Sequence, residues 1–482
     1  MSEATPLQAA PSRPADAGAL RRATRYARYI FWLMFLINLV NYADRFVFSG
    51  FSKIIQDEFN FNDSQIGFLA SGFLLVYALV AFAFGFIADR TSRKNIVAAG
   101  VAVWSLATAL TALAGSFGTM LFARTIVGIG EGSYYPAGTP MLAAYFPPSR
   151  RARVLSRWSV GSLVGGAVGF LITEAILVSL GRDYWRVGFY VAAVPGLILA
   201  VLFFRTREKI RHEEDPVAEQ SAAEARFYRA TREYLGIPTV RVVIAMQALG
   251  FFALFSIATF LIIYLSDIYG QSGPYGANGL PDTITVLLPS VILLIGGIAG
   301  NLLGGALADR MSRRITGARV RVSGLGFLLS APTVAITLAA PLVLRAIPAY
   351  TALTPGTQIT IGVAIFIVFG LLASTTLNFY NGPASAAVQD VVPPSGRAYA
   401  GGLTLTLSHL FGDVYAAFAV GSLSDALAFV GSQHLGIALL LTCPVVLVAS
   451  GIVGIWGSRF YAKDVAALGT SAEAMLGTQA RG

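Results

Sequence analysis

Apolar residues in this chain run in blocks of about twenty, separated by short charged clusters, and no soluble helix needs an unbroken apolar stretch that long. A bilayer hydrocarbon core of about 30 Å takes about 20 apolar residues per helix. By that measure twelve spans are predicted, starting near residues 29, 64, 95, 118, 153 and 185, and then 239, 283, 320, 359, 397 and 434. Between the two sixes lies the longest polar segment, Arg207 to Gly236, with Glu213, Glu214, Asp215, Arg226, Arg229 and Arg232. Within it, Ala222 to Leu235 is expected as an amphipathic helix on the membrane surface. The pattern divides the chain into a tail (1–27), a six-helix bundle (28–206), a linker (207–237), a second six-helix bundle (238–460) and a second tail (461–482).

The two halves repeat each other. GFIADRTSRK (Gly85 to Lys94), after the second span, recurs as GALADRMSRR (Gly305 to Arg314), after the eighth. PAGTPMLAAYFPPSRRAR (Pro136 to Arg153) is echoed by PASAAVQDVVPPSGRAY (Pro383 to Tyr399). The second half is longer between its two motifs, and the polar stretch Pro341 to Gly356 is the expected insertion. Two parallel six-helix repeats joined by a linker are the organisation of a transporter whose halves rock about a midplane site.

Composition agrees with the pattern. The 482 residues are 55% hydrophobic and 12% charged, against about 25% charged in soluble proteins, which excludes a soluble multi-domain enzyme. The net charge of +10 suggests nucleic acid until the basic residues are placed. Lys53, Arg182, Arg186 and Arg345 fall on one set of loops, Arg45 and Arg124 inside spans, and the other 29 of 35 on the opposite set. The positive-inside rule makes that richer set cytoplasmic, so the excess reports orientation and affinity for anionic headgroups, and no nucleic-acid partner is expected. Residues 1–27 lack an apolar core and cleavage site and read as a cytoplasmic tail. With an even number of spans, both termini are cytoplasmic. Cys443 is the single cysteine, so no disulfide framework or thiolate metal site is expected.

The duplicated loop carries the first chemistry. Gly85, Asp89, Arg90 and Arg93, and their counterparts Gly305, Asp309, Arg310 and Arg313, sit where a helix meets the cytoplasmic face. A carboxylate there can cap a neighbouring helix N-terminus while arginines pair across the gap between halves, closing a gate. Topology signals alone would not require Gly and Asp at fixed places in both copies. The pattern resembles the major facilitator superfamily over residues 28–460, which implies an all-α membrane protein of twelve helices in two pseudo-symmetric bundles. Three further motifs resemble the spinster family: Asn41-Tyr42-Ala43-Asp44-Arg45 in the first span, RTIVGIGEGSYYP (Arg124 to Pro136) in the fourth, and SHLFGD (Ser408 to Asp413) in the eleventh. That family is implied to carry lysophospholipids and sphingosine phosphates with proton coupling. Organic-anion symporters of the same superfamily share the first-span motif; the glutamate of GIGEGSY favours spinster.

Charges at the bilayer centre cost about 2.5–3.5 kcal/mol even on insertion scales, so Asp44, Arg45, Arg124 and Glu131 are functional candidates without any family. At about 1.5 Å per residue, Asp44 and Glu131 fall at matching depth, about 20 Å from the cytoplasmic face. Arg124, Gly128 and Glu131 share one helix face, and Gly128, Gly130 and Gly132 admit a close partner helix. Asp44 is expected to carry the proton, with Glu131 as a second carboxylate and Arg45 and Arg124 as counter-charges. An arginine at contact favours an ionised carboxylate and desolvation a neutral one, so motion between them converts conformation into proton affinity. The alternative is a structural ion pair that fixes helix register.

The superfamily resemblance implies a central cavity lined by the first, fourth, seventh, tenth and eleventh helices. Substrate candidates there are Tyr42, Arg45, Arg124, Tyr134, Thr259, Asn378, Asn381, Ser408 and His409, with Asp413 as the partner of His409. Arginine suits an anionic headgroup; Phe251, Phe252, Phe255, Phe379 and Tyr380 would wall an apolar tail. The fourth helix departs from the usual GEASYS of the family, and Tyr135, where a small hydroxyl is expected, would reshape the cavity. Three scattered histidines and the absence of GxGxxG argue against an enzyme or an ATP-driven pump. The reading is a monomeric, multi-pass carrier of the cell membrane, without metal or cofactor. It works by alternating access and couples protons to an amphipathic anion of the lysophospholipid or sphingosine phosphate kind; the alternative is a symporter of a small organic anion such as a sugar acid.

Overall fold

The computed structural model describes residues 17–146, 148–207, 229–271, 273–393, 396–431 and 433–479. It is almost entirely helical. The N-terminal half holds α1 (Ala17–Phe59), α2 (Asp63–Arg90), α3 (Arg93–Thr111), α4 (Phe117–Ala144), α5 (Pro148–Ser179) and α6 (Trp185–Phe204). The C-terminal half holds α7 (Pro238–Tyr269), α8 (Asp282–Ser312), α9 (Ala318–Arg345), α10 (Pro355–Leu377), α11 (Asn381–Asp390), α12 (Arg397–Phe411), α13 (Asp413–Ala426) and α14 (His434–Gln479). α10 and α11 form one span interrupted by the 3-10 turn Asn378–Tyr380, and α12 and α13 another, broken at Gly412.

Among the described residues, eleven helices are long and apolar enough to cross a membrane. The helix outside that set is α4, which is 28 residues long and packs against α2 and α3. It carries Arg124, Glu131 and a run of Gly, Ser and Tyr, so the helix richest in candidate chemistry is the long helix without a sufficiently apolar stretch. α1 starts at Ala17 and α14 runs to Gln479, so parts of both expected tails are continuations of spans. Of the expected surface helix in the linker, 229–236 is helical and the rest lies outside the described residues. The extra length of the second half is not confined to Pro341 to Gly356. Pro341 is inside α9, which has 28 residues against the 19 of α3, and only the single turn Pro348–Thr351 and its flanks form a separate insert.

Helices approach closely where a glycine removes the side chain between them. A Cβ on Gly128 would lie 2.8 Å from the carbonyl oxygen of Phe73 in α2, one on Gly132 2.7 Å from that of Tyr77, and one on Gly130 2.6 Å from the backbone nitrogen of Trp104 in α3. The three glycines of the fourth span thus seat α4 against two neighbours rather than one. Gly165 in α5 meets the Leu39 carbonyl of α1 in the same way.

The halves are joined at the face opposite the termini. Lys53 of α1 pairs with Asp267 of α7 at 2.6 Å, and Arg182 reaches both Asp57 of α1 (2.5 Å) and Asp282 of α8 (3.4 Å). Gly67 of α2 abuts the Ala417 carbonyl of α13. One apolar core accordingly runs from Phe51, Trp185 and Phe189 into Phe260, Tyr264 and Leu439 of the other half, while Met34, Trp104, Tyr134 and Trp158 form a core of the first half. The four basic residues expected away from the cytoplasm share this end: Arg186 pairs with Glu58 at 2.7 Å and Arg345 donates to the Ile268 carbonyl at 2.6 Å.

Gly165→Leu should lower the stability of the purified protein by about 1–3 kcal/mol, the usual effect of overpacking, in a thermal or denaturant melt. Gly118→Ala, whose Cβ meets nothing within 4 Å, should leave the midpoint unchanged; equal effects of the two would refute the packing assignment.

Candidate functional site

The charged residues of the first and fourth spans meet inside the N-terminal bundle. Arg45 Nε donates to Glu131 Oε2 at 2.6 Å, with the Glu131 side chain fully buried. The pairing brings Arg45 of α1 and Glu131 of α4 side by side. The guanidinium carbon of Arg45 lies 5.0, 5.2 and 4.8 Å from the ring centroids of Tyr42, Phe73 and Tyr77, so the cation is held between π-faces as well as by the carboxylate. Glu131 Oε1 has no hydrogen-bond partner among the described residues.

Asp44 is on another face of α1 and does not pair with either arginine by a hydrogen bond. Its Oδ2 accepts from Thr108 Oγ1 of α3 at 3.2 Å, and its Oδ1 is unpartnered among the described residues. Arg124 is 5% exposed and stacks on Phe48 (4.3 Å) and Phe73 (4.7 Å), with its Nε unpartnered. It is a charged neighbour of both Asp44 and Glu131, as Glu131 is of Asp44. The cluster therefore contains one made ion pair and, beside it, a carboxylate and a guanidinium that are not joined. Buried polar groups are normally satisfied, so this arrangement leaves capacity for a proton, a ligand or a rearranged pair.

The C-terminal half contributes a second group at its two helix breaks. His409 Nδ1 is 2.7 Å from Asp413 Oδ2, one turn on, and the imidazole stacks on Phe251 of α7 at 4.5 Å. The His409 side chain is 48% exposed, whereas Asp413 is buried with Oδ1 unpartnered. Gly412 makes the break: a Cβ there would lie 2.5 Å from the Ala248 carbonyl and 2.7 Å from that of Ser408. At the other break, Asn381 Nδ2 donates to Asn378 Oδ1 (3.2 Å), and Asn378 Nδ2 to the Ser374 carbonyl (2.8 Å). Interrupted helices are common site-forming elements in membrane proteins.

Several expected substrate residues are placed otherwise. Tyr134 is fully buried: its hydroxyl donates to the Met34 carbonyl at 3.0 Å and accepts from Trp158 Nε1 at 3.1 Å, so it fixes α1, α4 and α5 together and lines no cavity. The partly exposed neighbour is Tyr135, packed on Trp158 at 4.9 Å. Ser408 is also fully buried and donates to the Thr404 carbonyl at 2.7 Å, beside Gln247 of α7; Thr259 is buried too. Tyr42, Arg45, Asn378, Asn381 and His409 keep partial exposure. Of the apolar walls, Phe251 and Tyr380 are buried against each other and Phe327, whereas Phe255 packs on both cores.

In the duplicated loops, Asp309, Arg310 and Arg313 are exposed, and the charged neighbour of Asp309 is Arg319 in the same half. Gly304 rather than Gly305 makes the tight contact, 2.5 Å from the Phe379 carbonyl for an added Cβ, and Gly305 faces open space. Gly85, Asp89 and Arg90 lie on α2 at positions whose side chains are outside the described residues. The sequence reading missed Thr108, Phe48, Phe73 and Tyr77. Only the helix-to-helix contacts single these out, since Thr and aromatics occur throughout the spans. A groove lined by Phe84, Asn95, Ile96, Val103 and Ile129 opens between α2, α3 and α4 and shares no residue with the charged cluster.

Breaking a buried pair costs about 3–5 kcal/mol because it strands a charge. Arg45→Ala and Glu131→Ala should each lower stability by that order, and the double variant by clearly less than their sum, in a double-mutant cycle of denaturant melts. Additive losses would mean the pair is not coupled.

The chain matches the family model of the Major Facilitator Superfamily over residues 34–416. It is 27% identical over 442 residues to spinster homolog 1 of Xenopus laevis, covering 89% of this chain and 78% of that one. It is 28% identical over 433 residues to the hexuronate transporter of Bacillus subtilis (strain 168), covering 87% and 94%. A crystal structure of a bacterial homologue of the human lysosomal transporter spinster, inward-facing and unoccupied, superposes with a TM-score of 0.72 at 23% identity, covering 91% of this chain and 98% of that one. The chain belongs to the major facilitator superfamily and is a multi-pass membrane transporter of spinster type.

Proposed function

We propose that this protein is a proton-coupled carrier of an amphipathic anion of the lysophospholipid or sphingosine phosphate class, working by alternating access in the cell membrane as a monomer. The observation that carries the proposal is the unjoined pair of buried charges, Asp44 and Arg124, beside the made pair Arg45–Glu131. A purely structural cluster would have closed both pairs, since each stranded group is costly to bury. Asp44 takes and releases the proton. The Arg45 fork is the anion site: an incoming headgroup competes with Glu131 for the guanidinium, and the released Glu131 has Arg124 as its neighbouring charge. In the second half, His409 with Asp413 meets the polar end of the substrate, with Tyr42, Asn378 and Asn381 as further contacts. Phe255, Phe252 and Phe379 supply apolar surface for a tail.

The exposed duplicated loop at Asp309, Arg310 and Arg313 is the gate of the opposite face, unmade while the far face is bonded shut, and its copy at Gly85, Asp89, Arg90 and Arg93 has the same role. A second reading, a proton symporter of a sugar acid, is favoured by the likeness to a hexuronate transporter that this chain covers almost completely. A small carboxylate would use the same arginine fork without the apolar wall.

Proteoliposome uptake of a labelled lysophospholipid, with and without a pH gradient, tests the proposal. The gradient should raise uptake severalfold in the native protein, and Asp44→Asn should abolish that dependence while binding persists in a thermal-shift assay. Unchanged gradient dependence in Asp44→Asn would sink the coupling role. Stabilisation by glucuronate alone, with none by lysophospholipids or sphingosine phosphate, would replace the lipid reading by the sugar-acid one.

A further inference from the structure

The N-terminus of α2 is capped from the other half of the protein. Helix starts leave four backbone N–H groups without intrahelical partners. Here Gln65 N donates to Asn62 Oδ1 at 2.9 Å and Asn62 N to Gln65 Oε1 at 3.0 Å, so this capping box takes care of two. The other two, Asp63 N and Ser64 N, donate instead to the carboxylate of Asp425 at the end of α13, at 3.1 and 2.9 Å, and Ser64 Oγ bonds to the same carboxylate. An anion at a helix N-terminus also meets the positive end of the helix dipole. Asp63 in turn is fully engaged: Oδ1 accepts from Gln56 Nε2 at 2.7 Å, and Oδ2 accepts from Ser424 Oγ at 2.6 Å, with His434 Nδ1 3.4 Å away.

Ser424 links this contact to a titratable group. Its hydroxyl has a single proton and gives it to Asp63 Oδ2, so the 2.7 Å contact with His434 Nδ1 has the imidazole as donor. His434 opens α14, is part-exposed, and faces Asp63 of α2 across Ser424 of α13. The other charged groups around the contact are Asp425 on α13 and, facing Asp63, Asp267 of α7, whose carboxylate is paired with Lys53 and adjoined by Asp57 of α1.

We propose that Asp425, Asp63, Ser424 and His434 form a latch that holds the two halves together at the face opposite the termini, and that the charge on His434 sets its strength. Every bond between Asp63 or Ser64 and residues 424, 425 and 434 crosses the halves, so opening that face breaks them all at once. An imidazolium beside the Asp63 carboxylate strengthens the closed state and a neutral imidazole weakens it. Histidine changes charge between about pH 5 and 8, so acid on that side favours closure and mild alkali favours opening. The latch does not depend on the identity of the substrate or on Asp44 being the coupling site, and its test reads distance rather than transport.

Cys443→Ser removes the single cysteine, and Gly115→Cys in the first half with Gly356→Cys in the second place spin labels at positions where a side chain meets nothing within 4 Å. Interlabel distances are measured by pulsed electron paramagnetic resonance on the full chain in nanodiscs at pH 5.5 and pH 8. The longer, open-face distance should be at least threefold more populated at pH 8 than at pH 5.5. His434→Gln should abolish that difference, and Asp425→Asn, an isosteric change, should raise the open population at both pH values. A pH response that persists in His434→Gln, one absent from the parent, or an Asp425→Asn distribution identical to the parent would overturn the latch.

Discussion

A charge placed in hydrocarbon has to be compensated where it lies, because no water is there to do it and the backbone is already committed to its own hydrogen bonds. Arg45 and Glu131 meet that constraint with a 2.6 Å bond inside a wall of aromatic rings. Much of the first half follows from it. The glycines of α4 are where they are because α2 and α3 must come close enough to bring Phe73, Tyr77 and Thr108 to the charges. The low hydropathy of α4 is the other side of the same requirement, since a helix that carries the compensating groups cannot also be uniformly apolar.

The two halves meet this constraint differently from each other. The first half buries full charges between its helices; the second interrupts its tenth and eleventh spans and exposes His409, Asn378 and Asn381 at the breaks. At the face away from the termini, where water is available on one side, ion pairs and a borrowed helix cap replace the aromatic wall. Lys53 with Asp267, Arg182 with Asp282, and Asp425 on the start of α2 all span the halves there. These contacts range from the part-exposed Arg182 to the nearly buried Lys53, whereas the Arg45–Glu131 pair has its carboxylate fully buried.

The chain by itself determined an all-helical membrane fold, and eleven of the described helices are long and apolar enough to cross a membrane. These depend on length, hydropathy and the fixed rise of a helix, all of which are local. It also named the four ionisable residues of the first half, because so few others interrupt the apolar runs. Tertiary structure alone decided who pairs with whom. Asp44 and Arg45 are adjacent in sequence, yet one points to Thr108 and the other to Glu131; Tyr134 and Tyr135 are adjacent, yet the first is locked into the core and the second is partly open. Asp425 and Asp63 are hundreds of residues apart and share one cap. A helix turns by about 100° per residue, so neighbours in sequence face different helices, and which helix stands opposite is set by the packing of glycine faces across the whole bundle.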